Sequence, residues 1–129
     1  VTVTTYINLP VRDLSTAAEF FRSIGFDGEQ PTPDGAAMML SLNPTTQLML
    51  HVASSFAEYT GVAVTDTSTS REVIVGLATE SRDRVDELVD RAVAAGGEAL
   101  GDGRDAGGLY MRGFRDLDGH QWSFLHVGD

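Results

Sequence analysis

Two stretches of this chain follow one plan, and a doubled plan restricts the fold more than any other feature of the sequence. In residues 4–11, Ile7, Leu9 and Val11 alternate with Tyr6, Asn8 and Pro10, the period of a half-buried strand. Residues 72–78 alternate in the same way, with Val73, Val75 and Leu77 as the apolar set. Each stretch leads into an apolar stripe at helical spacing. The first is Leu14, Ala17, Phe21 and Ile24, running up to Gly25-Phe26; the second is Val85, Leu88, Val89 and Ala92, running up to Gly96-Gly97. Each half then reaches an apolar segment, Leu48 to Val52 and Trp122 to Val127. One strand–helix–strands unit thus occurs twice.

Local signals mark the boundaries. Asp13, Ser15 and Thr16 are good N-cap residues, Thr16 with Glu19 fits a capping box, and Gly25 is a helix stop. Pro31, Pro33, Asp34 and Gly35 are turn residues; Ala37 to Leu42 and Gln47 to Val52 predict a hairpin around Asn43-Pro44. Residues 53–70 carry no period and are rich in Ser and Thr, with Phe56 and Tyr59 as anchors. They are expected to be irregular, either an ordered linker or a lid. Ser81 can cap the second helix, whose solvent face carries the i,i+4 pairs Glu80/Arg84 and Glu87/Arg91. Residues 101–108 are expected as a Gly/Asp-rich loop. Leu109 to Phe114 and Gln121 to Val127 are expected strands, joined by the tight turn Asp116-Leu117-Asp118-Gly119.

Composition excludes several classes. A chain of 129 residues fits one domain with an adequate core. Without cysteine it has no disulfide, thiolate metal site or Cys nucleophile, which fits a cytoplasmic protein. No apolar run nears the roughly 20 residues needed to span a membrane, and the N-terminal residues form a polar strand pattern rather than a signal segment. Nine basic against 19 acidic residues leave a net charge of −10, so Coulomb repulsion disfavours nucleic acid and anionic membranes as partners. Gly101-Asp102-Gly103 lacks the helix and Lys of a phosphate loop. No serine sits in a nucleophile elbow, and no basic–aromatic stripe suits nucleic acid.

Val11-Arg12-Asp13-Leu14, entering a helix with Phe20-Phe21 and Gly25-Phe26, resembles the opening motif of the glyoxalase/bleomycin-resistance/extradiol-dioxygenase (vicinal oxygen chelate) superfamily. Phe114-Arg115-Asp116-Leu117-Asp118-Gly119-His120-Gln121-Trp122 resembles its closing motif. The likeness spans nearly the whole chain. It implies an α+β fold in which two βαβββ modules form a curved, open barrel-like sheet around a cavity, with helices on the convex face. The expected organisation is a single domain, 1–129, with internal repeats at about 1–60 and 70–129. Because relatives commonly build their cavities in homodimers, a two-fold homodimer is expected as well.

Strand parity then sorts the residues, since side chains at i and i+2 share a face. With Ile7, Leu9, Val11, Leu48, Leu50, Trp122 and Phe124 directed at the helices, the other face carries Tyr6, Asn8, Met49, His51, Glu72, Ile74 and Ser123. The resemblance places metal ligands at Tyr6, Met49, Glu72 and Ser123. Only Glu72 is a good ligand for a hard divalent ion; a Met thioether and neutral hydroxyls are poor ones. The expectation is therefore a degraded metal site and no cofactor, with a divalent metal ion as the alternative. His51 lies one strand step beyond Met49, so a Glu72–His51 acid/base pair is the candidate catalytic set; a cavity-wall histidine is the structural alternative. Tyr6, Asn8, Met49, Ser123 and Arg112 are the candidate ligand contacts, Arg112 for an anion. Three functions remain open: a small-molecule-binding or cofactor-independent protein, a metal-dependent lyase, isomerase or dioxygenase acting on vicinal oxygens, or a scaffold whose cavity its own side chains fill.

Overall fold

The computed structural model describes residues 3–128, apart from the side chains of residues 28 and 29. The chain divides into two compact units, residues up to Thr65 and residues from Asp66 on. Each is a βαβββ module built on a four-stranded mixed sheet.

In the first unit, β1 (Thr5–Val11) is followed by α1 (Leu14–Ile24), β2 (Asp27–Pro31), β3 (Ala37–Asn43), β4 (Thr46–Val52) and α2 (Ala53–Thr60). The sheet order is β1-β4-β3-β2, with β1 parallel to β4 and the remaining pairs antiparallel. Of these strands, Leu9, Val11, Leu40, Leu48 and Leu50 are buried, and α1 covers them with Ala17, Ala18, Phe20, Phe21 and Ile24. The parity assigned to β1 and β4 is the observed one. Asp13 is the N-cap of α1, accepting the Thr16 N–H at 2.8 Å. Thr16 thus lies inside the helix rather than capping it. Gly25 closes the helix, its N–H donating to Arg22 O at 3.0 Å.

The second unit repeats this plan: β5 (Ile74–Ala78), α3 (Arg82–Ala94), β6 (Glu98–Ala106), β7 (Leu109–Arg115) and β8 (Gln121–Val127), ordered β5-β8-β7-β6 with β5 parallel to β8. Ser81 caps α3 by accepting the Arg84 N–H at 3.0 Å. Val85, Leu88, Val89 and Ala92 form its buried stripe. They meet a sheet face made by Phe114, Trp122 and Phe124, in which Phe114 stacks on Trp122 at 6.4 Å and on Phe124 at 5.8 Å.

The β7–β8 turn is organised by Asp116, a buried acidic side chain. Its Oδ1 accepts the N–H groups of Asp118 at 2.9 Å and His120 at 3.0 Å, and its Oδ2 accepts the Trp122 indole N–H at 3.0 Å. The turn motif is therefore a fastening for the core tryptophan. Gly119 has φ +81, and any Cβ there would overlap the side chain of Thr67, whose hydroxyl donates to Asp118 O at 2.6 Å.

Four elements depart from the sequence expectation. The stretch 53–60 is a helix rather than irregular chain. It buries none of its residues and lacks a side-chain cap at Val52, so no apolar stripe or cap signal was there to read. The stretch 101–106 is strand: β6 runs to Ala106 across a register shift between Leu100 and Arg104. Gly101 and Gly103 supply positive φ at this bulge, which is why the alternation fails there. At the start of the second module the ladder begins at Ile74, so Val73 and Glu72 precede it and both are exposed. β2 (Asp27–Pro31) was likewise not expected; as an edge strand it carries no apolar alternation.

Candidate functional site

The face of the first sheet opposite α1 carries the chemistry. Asn8 and Met49 are direct partners in the parallel β1–β4 ladder, and His51 lies two residues further along β4 on the same face. These side chains form one wall of a pocket of about 540 Å³, within the range of small-molecule sites. The second wall is the β2–β3 turn, with Thr32, Asp34 and Ala36; the third is α2, with Ser55, Phe56, Tyr59 and Thr60. Ala37 pairs with His51 across the β3–β4 ladder, and Val52 N–H donates to Ala36 O at 3.0 Å. The turn is thereby fastened beside the imidazole.

His51 is the centre of this arrangement. Its Nε2 lies 2.7 Å from Asn8 Oδ1. Asn8 Nδ2 donates to the Tyr6 carbonyl at 3.4 Å, which directs the amide oxygen at the ring. An amide oxygen only accepts, so Nε2 carries the proton, and in the neutral ring Nδ1 is the lone-pair nitrogen. Partial burial lowers the imidazole pKa from its ordinary 6.5, because removal from water penalises the cation. The Phe56 ring stands 5.9 Å from the imidazole, edge-on, and the Tyr59 ring 6.3 Å from it.

Asp34 supplies the pocket's carboxylate. Its Oδ1 accepts the Thr32 hydroxyl at 2.7 Å and the Ala36 N–H at 3.1 Å. These bonds, the Thr32 one above all, lower its pKa below the usual carboxylate value. Among the described residues no Lys or Arg lines the pocket.

The remaining candidates take varied positions. Tyr6 is on the same strand face as Asn8 and is exposed. In the second unit, Ser123 of β8 is the ladder partner of Gly76, and its Oγ would lie 3.5 Å from a Cβ placed there. The register equates Ile74, partner of Gln121, with Tyr6, partner of Gln47; Glu72 stands outside the repeat. Arg112 meets an environment unlike the expected anion contact. It shares a β7 face with buried Phe114, and its Nη1 is 3.2 Å from both Asp86 and Asp90 of α3. Two carboxylates already neutralise it. Beside it the Tyr110 hydroxyl donates to Asp86 at 2.6 Å, and Arg82 lies over the Tyr110 ring at 4.8 Å. His120 belongs to the Asp116 turn, and His126 Nδ1 donates to Thr79 O at 2.9 Å.

The donor set does not suit a divalent metal. At the positions the superfamily uses stand a phenol, a thioether and an aliphatic hydroxyl, with Glu72 ahead of its strand. Among the described residues of each module, no three His, Cys, Asp or Glu side chains gather as a ligand group. Asp34, Thr32 and Ser55 belong to the pocket but were not among the sequence candidates. Asp34 carried only a turn signal, and Phe56 and Tyr59 only that of anchors in a long connection.

The Glyoxalase/Bleomycin resistance protein/Dioxygenase superfamily model matches residues 4–124, and the chain belongs to that superfamily. Among solved structures it is similar to a hypothetical protein from S. aureus, with TM-score 0.86 and 27% identity over 96% of this chain and 93% of that one. It is also similar to a glyoxalase-related enzyme from Fulvimarina pelagi, with TM-score 0.79 and 25% identity over 98% of this chain and 88% of that one. A glyoxalase/bleomycin resistance protein/dioxygenase family enzyme from Burkholderia phytofirmans shares the fold at TM-score 0.77 and 17% identity, over 95% of this chain and 97% of that one. A search of the curated proteins finds no match.

Proposed function

We propose that this protein binds a small organic molecule in the pocket of its first module and does so without a metal cofactor. The observation that supports this most is the Asn8–His51 pair at 2.7 Å, opening on a pocket of about 540 Å³ walled by Phe56 and Tyr59. Apolar walls with a few oriented polar atoms are what holds a metabolite or drug-sized ligand. Met49 supplies a soft apolar contact beside the imidazole, and Tyr6 is proposed as a further contact; Ser123 is proposed as a ligand contact of the second module alone. Arg112, engaged by Asp86 and Asp90, is not proposed as one.

Chemistry open to the site without a metal is proton transfer. His51 Nδ1 is the acceptor, and His51→Gln tests that assignment; for Glu72, exposed ahead of β5 in the second unit, a separate acid/base role is proposed, tested by Glu72→Gln. A two-fold homodimer is proposed on the ground that each sheet ends in edge strands, which gain by being covered. Light scattering over a wide concentration range should give twice the chain mass. A cytoplasmic location is proposed from the absence of cysteine.

The decisive experiment is a thermal-shift screen of a small-molecule panel against the protein and its Phe56→Ala variant. Hits that raise the melting temperature of the first and not of the second place the ligand in this pocket, by the linkage of binding to stability. A panel in which every hit stabilises both proteins equally would remove the proposal.

A further inference from the structure

We infer that the pocket selects an aryl-bearing organic cation, a primary ammonium group on an aromatic body. This rests on the reading that the pocket is a ligand site, and adds the charge class of its ligand.

The argument is an inventory of what the pocket offers. Among the described residues, its one formally charged lining residue is Asp34. Thr32 and Ala36 both bind its Oδ1. The other oxygen, Oδ2, takes no hydrogen bond among the described residues and can accept from a ligand. A carboxylate–ammonium hydrogen bond is roughly twice as strong as a neutral one. His51 adds a second acceptor: with Nε2–H committed to Asn8, the ring offers Nδ1. The Asn8 amide is turned so that its oxygen meets His51 and its nitrogen meets the Tyr6 carbonyl. The polar content is thus weighted toward acceptors, which suits a ligand that brings donors.

The apolar content points the same way. Phe56 and Tyr59 stand within 6.3 Å of the imidazole, and Tyr59 is 86% exposed, so its ring is open to a ligand. Aromatic faces attract cations through their quadrupole and stack on aryl groups. An anion would meet the Asp34 carboxylate and the negative faces of two rings, with no Lys or Arg among the described lining residues to offset them. The net charge of −10 adds a long-range bias of the same sign.

The test uses three probes of one size and different charge: 2-phenylethylammonium, 2-phenylethanol and 3-phenylpropionate. Each is titrated into the protein at neutral pH while the His51 and Phe56 ring signals are followed by NMR. The expected result is binding of the ammonium about tenfold or more tighter than the carboxylate, with the alcohol between them. Asp34→Asn keeps an oxygen for Thr32 and Ala36. It should weaken the ammonium about tenfold and leave the alcohol unchanged. Equal or tighter binding of 3-phenylpropionate, or an ammonium affinity indifferent to Asp34→Asn, would overturn the charge selection. If the alcohol still moved the His51 and Phe56 signals, the pocket would stand as a ligand site. Silence of both signals with all three probes would overturn the site itself.

Discussion

A single hydrogen bond decides what His51 can do. Because the Asn8 oxygen holds Nε2–H, the ring is set in one tautomer, and partial burial lowers its pKa by disfavouring the cation. A neutral imidazole with a fixed tautomer is a better proton acceptor near pH 7 than a freely rotating, half-protonated one. Its pKa should therefore titrate below the ordinary 6.5, measured by NMR of the ring carbons. Asn8→Leu, which removes the acceptor, should move the ring toward a mixture of tautomers in the nitrogen spectrum. The stability consequence has a definite sign. A histidine whose folded pKa is depressed favours the folded state above the unfolded value of about 6.5. That contribution is lost as pH falls through the folded pKa. Thermal unfolding between pH 7.5 and 5 should accordingly show a smaller acid loss in His51→Gln than in the parent.

Gly103 is a second residue with an outsized effect. It has φ +121, and a Cβ there would stand 2.7 Å from the Tyr110 hydroxyl. Gly103→Ala should displace Tyr110 from Asp86, and with the strained backbone should cost on the order of 1–3 kcal/mol by chemical denaturation. The Tyr110 titration gives an independent readout. The hydrogen bond to Asp86 raises the phenol pKa in the parent, and the variant should bring it back toward the ordinary value.

Elements differ in how securely they are tied. α3 has a Ser81 cap, a fully buried stripe and ion pairs joining Glu87 to both Arg84 and Arg91. Ser81→Ala should destabilise it by about 1 kcal/mol in urea unfolding. The β7–β8 turn depends on Asp116, and Asp116→Ala would leave the N–H groups of Asp118, His120 and Trp122 without their acceptor. A loss on the order of 3 kcal/mol is expected, since each orphaned buried donor costs about 1–3 kcal/mol. By contrast α2 has no cap at its start and no buried residue. Hydrogen exchange should find its amides opening well before those of α3. Ligand binding against Phe56 and Tyr59 should slow them, which ties the mobility of this helix to the occupancy of the pocket.

At the scale of the molecule, the same topology appears twice and carries different chemistry. The ladder that sets Asn8 beside Met49 in one module sets Gly76 beside Ser123 in the other. His51 has Leu125 as its counterpart through Pro10 and Ala78. Among the described residues, neither copy gathers three His, Cys, Asp or Glu side chains into a ligand group for a hard cation. Protein prepared without chelator should therefore lack stoichiometric metal by elemental analysis, and Mn, Ni or Zn should leave its melting temperature nearly unchanged. A stoichiometric, tightly bound ion, with activity lost on its removal and restored on its return, would put a metal enzyme in place of the binding protein. In the first module's core, Leu48→Ala should cost about 2–5 kcal/mol, because Leu48 is fully buried between β1 and β3 under α1.

What the sequence determined by itself is the repeated frame. Alternation in β1, β4 and β8 and the helical stripes of α1 and α3 follow from burial of one face, a constraint written into every second or every third and fourth residue. Asp13, Ser81 and Gly25 marked the helix ends because capping is a local matter of one side chain or one φ angle. Tertiary structure decided the rest. The β6 strand is held by pairing with β7 across a glycine bulge, and α2 by its neighbours rather than by any stripe of its own. The partnership of Asn8 with His51 joins residues 43 positions apart. Asp34 enters the site only because the β3–β4 ladder draws its turn against the imidazole. Those contacts depend on register and chain reversal, which no local pattern encodes, and they are the contacts that give the pocket its chemistry.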